Sequence, residues 1–192
     1  MEGRIQGRSD PGLSPEGYAQ SLALLEQLKD RAISAIYTST LKRSILTAQP
    51  ISDHLGLPLR EQPELDEIAF GILEGKQLLD SDGEVKREWE RFKEDRFTYR
   101  IPGGENYADL RNRVRPFVET MLQNHKGEEI LIVGHRVVNQ MLIGLLMDCP
   151  PEEMLAMQQN TGCFYLVEKN GEPKVFYPAN GEMREGLFGG AR

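Results

Sequence analysis

The sequence predicts a three-layer α/β fold in which helices flank a mostly parallel sheet. Two short apolar runs, residues 33–37 and 129–133, have the composition of buried strands, and a helical pattern follows each of them. Strands that alternate with helices at this spacing are typical of parallel sheets. A chain of 192 residues is long enough to bury one good core. We therefore expect one domain over residues 1–192.

The composition excludes several classes of function. The chain has 23 Lys and Arg against 30 Asp and Glu, and its formal charge of -7 has the wrong sign for binding nucleic acid through phosphate neutralisation. No apolar run approaches the length of a membrane span, so we expect no membrane partner. The cysteines lack metal-ligand spacing and no secretory signal precedes them. These features predict a reduced, cytoplasmic chain.

The N-terminal part predicts a helix, a strand and a second helix. Ser14-Pro15 stands before an apolar series with helical spacing, which predicts a capped helix that runs to about Arg31. The strand at residues 33–37 follows. Hydroxyl side chains after it are suited to cap a second helix, which continues through His54 and ends at Gly56. This unit is a strand that leads directly into a helix.

The middle of the chain predicts an excursion from the sheet. Between about residues 58 and 106 the pattern breaks into short pieces and turn residues. A charged stretch from Lys86 to Asp95 predicts a solvated helix, and Pro102 to Gly104 predicts a loop. We expect this region to act as a lid.

The C-terminal part predicts further helices and strands. An apolar stripe from Leu110 to Met121 predicts a helix that ends near Gly127. The run at residues 129–133 is nearly unbroken, which predicts a strand covered on both faces, and residues 137–146 predict a buried helix. Two more strands are predicted at residues 163–167 and 174–177.

Basic side chains follow two of the predicted strands. Lys42 and Arg43 lie in the first turn of a helix, where the helix dipole disfavours cations, and a bound anion would remove this conflict. His135 follows the strand at residues 129–133 and also begins a helix. A solvated helix face and a simple strand-end cap are the alternatives. Because ligands of parallel sheets bind beyond the carboxyl ends of the strands, the two positions together favour a phosphate or carboxylate pocket.

Three other titratable residues are candidates for a catalytic role. Glu67 lies among apolar neighbours, which would raise the pKa of its carboxyl and suit it to proton transfer, although most such glutamates are surface residues. His54 and His125 lie near the ends of polar helical stretches. We predict that both histidines are surface residues.

Several segments together carry a resemblance to a known family. The sequence resembles the histidine phosphatase superfamily, the phosphoglycerate-mutase-like enzymes, over essentially its whole length. The segments occur in the family's order, which makes chance similarity implausible. They are residues 3–17, 37–48, 65–76, 102–106 and 130–135.

The resemblance implies a two-step phosphoryl transfer through a phosphohistidine. In this scheme Arg43 clamps phosphate oxygens, His135 stabilises the equatorial charge and Glu67 protonates the leaving oxygen. Gln6 and Gly7 match a loop that lines the same pocket. Because Arg and His would supply the positive charge, neither a metal nor a cofactor is expected. The implied substrate is a small phosphorylated metabolite.

The resemblance also implies a substrate lid within the excursion. Its candidate contacts are Arg87, Trp89, Glu105 and Asn106. The alternative for the helical part is a solvated helix whose apolar face packs against the core. The residues that follow His135 resemble the branch of α-ribazole phosphatases and phosphoglycerate mutase-like proteins.

One departure from the family pattern affects function. The family begins with a central strand that ends in Arg-His-Gly, whose histidine is the nucleophile, and this sequence matches the pattern only beyond that point. We therefore expect the nucleophile to be missing from the chain, with unpaired sheet edges and an exposed apolar seam. The hypotheses are a phosphomonoesterase with an additional N-terminal strand, an inactive phosphate-binding pseudophosphatase, and a mutase. The phosphatase is favoured over the mutase because long insertions are absent, and a homodimer is an open alternative.

Overall fold

Two three-stranded sheets and their flanking helices form the structure, a computed structural model that describes residues 4–78, 83–157, 159, 163–179 and 182–186. The helices are α1 (Pro15–Leu28), α2 (Lys42–Leu55), α3 (Gly83–Glu94), α4 (Tyr107–Asn124), α5 (Arg136–Leu146) and α6 (Pro151–Ala156). The strands are β1 (Ile33–Thr38), β2 (Leu59–Glu61), β3 (Glu129–Val133), β4 (Leu166–Glu168), β5 (Lys174–Ala179) and β6 (Glu182–Glu185).

The first sheet has the order β2-β1-β3 and is parallel throughout. Helical crossovers connect its strands, as parallel pairing requires. The second sheet, β4-β5-β6, is antiparallel throughout its described pairing. The predicted layered α/β fold is confirmed, but the parallel pairing is confined to the first sheet.

Local sequence signals explain the helix ends. The Ser14 hydroxyl accepts the N–H of Gly17 at 3.2 Å at the start of α1, which ends at Leu28 rather than near Arg31. Gly56 ends α2 in the left-handed conformation, with φ 67°. No helix in the described ranges combines the length and apolar character needed to span a bilayer.

The excursion packs its apolar side against the main core. Helix α3 buries Val85 and Phe92, and the Phe92 ring lies 5.8 Å from that of Phe70. Apart from the buried Glu88, its charged residues cover the outer surface, so the alternative of a solvated helix with a packed apolar face describes α3. Residues 79–82 of the excursion lie outside the described residues.

Strand β3 borders a cavity that both apolar and polar residues line. On one side it pairs with β1, and no described strand pairs with its other edge. A cavity of about 610 Å³ lies there, and residues of β3, α5 and β4 line it. Both faces of β3 are covered, as predicted. Ile130 and Ile132 pack against one core cluster, and Leu131 and Val133 pack against the other. All residues of the strand are nevertheless only partly buried. The apolar residues that line the cavity include Ile130, Leu131, Leu142, Ile143, Phe164 and Val167.

Candidate active site

Arg43 lies at the start of α2 and reaches across the carboxyl ends of β1 and β3. Its Nη1 and Nη2 groups donate to the carbonyl oxygens of Ser9 and Gly7, each at 2.7 Å. Its Nε–H donates to Nδ1 of His135 at 3.2 Å. Burial lowers the pKa of Arg43, while Glu67 and other carboxylates oppose that shift. Nη1 also lies 3.8 Å from Oδ1 of Asp10. Because a guanidinium has five N–H groups and these three hydrogen bonds use three of them, two N–H groups remain for a ligand.

His135 begins α5 directly after β3 and is buried. Because its Nδ1 accepts a hydrogen bond from Arg43, its proton lies on Nε2, which donates to the Ser39 hydroxyl at 2.7 Å. Burial and the charge of Arg43 lower the pKa of His135 to about 3. The ring is therefore neutral at pH 7. The resemblance implies positive charge from both residues, whereas in this arrangement the charge comes from Arg43, and Arg8 and Arg113 also act on the His135 ring.

The N-terminus of α2 holds one of the chain's own carboxylates. Asp10 accepts the backbone N–H groups of Lys42 and Arg43. Asp10 therefore relieves the conflict between the basic side chains and the helix dipole, from which a bound anion was predicted. The side chain of Lys42 is exposed, as its alternative interpretation expected.

The N-terminus of α5 holds a second carboxylate. Glu67 is buried and accepts the N–H groups of Val137 and Val138 at 3.3 Å, and that of Ile68 at 3.0 Å. Burial raises the pKa of Glu67, against the opposing effects of these backbone donors and of Arg43. Its carboxyl is thus suited to carry a proton, as the apolar neighbours predicted.

The N-terminal loop contacts the site mainly through its backbone. Gly7 is buried, and its N–H donates to the Glu74 carboxylate at 3.1 Å, so this N–H already has a partner. A Cβ at Gly7 would lie 2.0 Å from the carbonyl oxygen of Ile68, which explains why glycine is required. Gln6 has an exposed side chain.

The four candidate lid residues lie in different environments. Arg87 is exposed on α3, and Trp89 packs with its ring 6.0 Å from that of Phe70. Glu105 binds Arg113 at 2.8 Å. Asn106 is buried, and with Asp109 it forms the capping box of α4. The polar atoms of Glu105 and Asn106 thus have structural partners, and a lid role for these four residues remains a prediction.

The two other histidines lie apart from the Arg43–His135 pair. His54 is exposed on α2, as predicted. The surface prediction for His125 was wrong, because its side chain is only 11% exposed. Its Nε2 lies 2.8 Å from the Tyr37 hydroxyl and its Nδ1 lies 2.7 Å from Glu128. Tyr37 is far from His125 in sequence, so no local signal predicts this contact.

The sequence reasoning missed two groups that shape the site. Ser39 is fully buried and binds His135. Asp66 is buried between two donors, the Thr40 N–H at 2.8 Å and the Arg8 guanidinium at 2.6 Å. The only sequence signals for Ser39 and Asp66 were their positions in the segments at residues 37–48 and 65–76 that resemble the family. Within the described ranges, no group of three or more His, Cys, Asp or Glu side chains is arranged to hold a metal ion.

Together these residues present a cation with free donors next to a buried, protonatable carboxyl. A model of the histidine phosphatase superfamily (branch 1) matches residues 1–178. The chain belongs to the histidine phosphatase superfamily. This result confirms the family to which the sequence motifs pointed.

Relatives with curated names support the same family. The chain is 31% identical over 156 residues to human 6-phosphofructo-2-kinase/fructose-2,6-bisphosphatase 4, covering 80% of this chain. It spans only 31% of that relative's length. It is also 31% identical over 135 residues to phosphoserine phosphatase 1 of Hydrogenobacter thermophilus, covering 70% of this chain and 64% of the relative.

Solved structures share the fold. The α-ribazole phosphatase of Shigella flexneri aligns with a TM-score of 0.77 at 25% identity, covering 98% of this chain and 89% of that protein. A mycobacterial glucosyl-3-phosphoglycerate phosphatase aligns with a TM-score of 0.76 at 22% identity, covering 98% and 92% of the two chains. At this identity the second likeness concerns the fold alone.

Proposed function

We propose that this protein is a phosphomonoesterase that acts on a small phosphorylated metabolite. The observation that carries the proposal is the Arg43–His135 pair, which joins the ends of β1 and β3 and leaves guanidinium donors for a ligand. Phosphoryl transfer depends mainly on positioned positive charge, which Arg43 provides. The phosphatase names of the relatives support the same reaction class.

The proposed reaction passes through a phosphohistidine. A histidine nitrogen attacks phosphorus, the bond from phosphorus to the ester oxygen breaks, and that oxygen takes a proton from Glu67. Water then attacks phosphorus and returns a proton to Glu67, while the phosphorus–nitrogen bond breaks and phosphate is released. The raised pKa of Glu67 supports its role as the proton donor. Arg43 balances the charge of the phosphate oxygens, and the neutral ring of His135 donates its Nε2–H to one of them in place of the Ser39 hydroxyl.

The nucleophile of this scheme is proposed to come from outside these 192 residues. His54 is exposed on α2, and His125 binds Tyr37 and Glu128. The nitrogens of His135 are bonded to Arg43 and Ser39. The cavity beside β3 supports an additional strand, because no described strand pairs with this edge of β3 and apolar side chains such as Leu142 and Phe164 line part of the cavity. A strand parallel to β3 would end near His135 and Arg43.

A second candidate is a pseudophosphatase that holds phosphate without turnover. The observation that favours it is the engagement of His125 and His135 with other side chains. Both candidates predict phosphate binding, and only the phosphatase predicts turnover when an Arg-His-Gly strand is present.

Calorimetric titration with inorganic phosphate tests the binding site. We expect wild-type binding and about a 100-fold weaker Kd in Arg43→Ala, because the variant loses the site's cation. Lys42→Ala removes the same charge from the neighbouring exposed side chain and should change the Kd less than twofold. Absence of wild-type binding, or equal effects of the two variants, contradicts the proposal.

Hydrolysis of a chromogenic aryl phosphate separates the two candidates. We expect the 192-residue chain to bind phosphate without hydrolysis. A chain extended at its N-terminus by an apolar strand ending in Arg-His-Gly should hydrolyse the ester, and alanine at the added histidine should abolish the activity. Binding without hydrolysis in both chains favours the pseudophosphatase.

A further inference from the structure

The carboxylate of Glu74 binds a row of backbone N–H groups. Its Oε1 accepts from Arg8 at 2.9 Å and from Phe70 at 3.0 Å. Its Oε2 accepts from Gly7 at 3.1 Å and from Ser9 at 3.4 Å. Three of these donors are consecutive in the N-terminal loop. Successive backbone N–H groups aimed at one anion form an anion-binding nest, which here holds an internal carboxylate.

The opposite side of the same loop faces Arg43. The Gly7 carbonyl and the Arg8 N–H belong to one peptide unit. In a trans peptide these two groups point in opposite directions, so a bond that fixes one also aims the other. The N–H points to Glu74 at 2.9 Å, and the carbonyl accepts from Nη2 of Arg43 at 2.7 Å. Glu74 therefore determines the direction of a carbonyl that holds the guanidinium.

The space between Glu74 and the loop permits little adjustment. A Cβ on Gly7 would lie 2.5 Å from the Glu74 carboxylate. Burial raises the pKa of Glu74, but the backbone donors outweigh that effect and leave the pKa below its usual value. The carboxylate is therefore ionised at neutral pH. An ionised acceptor gives stronger hydrogen bonds to the loop than a neutral one would.

We propose that Glu74 is a positioning residue that orients Arg43, and through it His135, for phosphate. This inference rests on the proposed phosphate-binding function of the site. The described hydrogen bonds of Glu74 go to the backbone and not to Arg43 or His135, although its charge also acts on Arg43. It acts through the Gly7–Arg8 peptide unit, whose carbonyl holds one end of a guanidinium that donates to Nδ1 of His135 at its other end.

Glu74→Gln tests this role with two measurements. The amide keeps the shape of the carboxylate but brings an NH₂ donor against backbone donors, so the loop loses its fixed position. In ¹⁵N NMR of the His135 ring, we expect the wild type to show the Nε2–H tautomer and the variant a mixture of tautomers. The phosphate Kd should rise about tenfold. Glu61→Gln removes the same charge from an exposed position on β2 and should change neither measurement.

The possible outcomes distinguish this inference from the proposed function. Unchanged ring signals in a folded Glu74→Gln protein overturn the positioning role, whatever the phosphate affinity. Altered ring signals in a protein whose wild type binds no phosphate support the positioning role and contradict the proposed function. If Glu74→Gln does not fold, Glu74→Asp provides the test. Its shorter side chain cannot span both loops, so it should shift both measurements in the same direction, and an unchanged ring spectrum overturns the role.

Discussion

The N-termini of α2 and α5 are both capped by carboxylates from distant parts of the chain, but the environments of these carboxylates differ. Asp10 caps α2 from a half-buried loop, and Glu67 caps α5 from the interior. Burial raises the pKa of Glu67. The same capping geometry thus has two results. Asp10 stabilises the start of α2, whereas Glu67 at the start of α5 is also a candidate proton donor. Burial decides which chemistry follows.

Arg43 connects these two helix ends. Its backbone N–H binds Asp10 at α2, and its side chain reaches His135 at the start of α5. A change at either cap is therefore expected to alter the guanidinium's position. Substitutions at the two ends should therefore differ in their effects on the free energy of unfolding.

Gly7→Ala is expected to have the largest effect, and to act on the loop that carries Asp10. The new Cβ would lie 2.0 Å from the Ile68 carbonyl oxygen, so the backbone must shift, at a cost of about 3 kcal/mol. Chemical denaturation measures this loss. Gly56→Ala, at φ 67° with open space around it, should cost only about 1 kcal/mol. Equal losses would contradict the crowding at Gly7.

Acid should destabilise the α5 end through His135. The pKa of His135 is lowered from 6.5 to about 3, so the folded chain binds fewer protons than the unfolded chain between these values. The contribution is fully present above pH 6.5 and is lost as the pH falls. At pH 5 the loss is about 2 kcal/mol. His135→Gln should lack this contribution, and parallel pH profiles of the two proteins would show that the ring is protonated in the folded state.

Glu67→Gln should change the pH dependence of stability in the opposite sense. Because burial raises the pKa of Glu67 above 4.5, the folded chain binds more protons than the unfolded chain just above that pH. The wild type should lose stability there as the pH rises, by about 1.4 kcal/mol for each unit of difference in pKa. Denaturation profiles of both proteins measure this slope. If the difference in the free energy of unfolding between the two proteins does not change with pH, the raised pKa of Glu67 is contradicted.

Asp10→Ala should have the smallest effect, about 1 kcal/mol, because it removes the cap of α2. Asp10→Asn keeps an acceptor oxygen and should remain within a few tenths of a kcal/mol of wild type. Thermal unfolding of the three proteins measures the difference. If asparagine costs as much as alanine, the charge rather than the cap is what stabilises this end.

The sequence predicted those strands and helix caps that depend on residues close together in the chain. The predicted strand at residues 129–133 has the observed bounds, and Ser14 caps α1 from three residues away. The caps of α2 and α5 come from residues 32 and 70 positions away, so no local pattern could show them. Sequence analysis therefore expected external anions at positions that the chain fills itself.

For the site, the sequence predicted which residues meet but not all of their properties. Arg43, Glu67 and His135 were predicted from strand ends and family motifs, and the structure brings them together. The raised pKa of Glu67 was predicted from its apolar neighbours, whereas the neutral state of His135 was not, because it depends on burial and on the charge of Arg43. The partial burial of β3 was also missed, since an apolar run does not reveal whether a neighbouring strand is present.

The separation of the two sheets has a consequence for how the molecule opens. Strand β1 is mostly buried and is paired on both sides, whereas β6 is exposed throughout and pairs only with β5 among the described strands. Amide hydrogens in β1 should exchange with solvent only on global unfolding, and those in β4 to β6 through local opening. Proteases should accordingly cut the second sheet first and leave the Arg43–His135 pair intact in the remaining core.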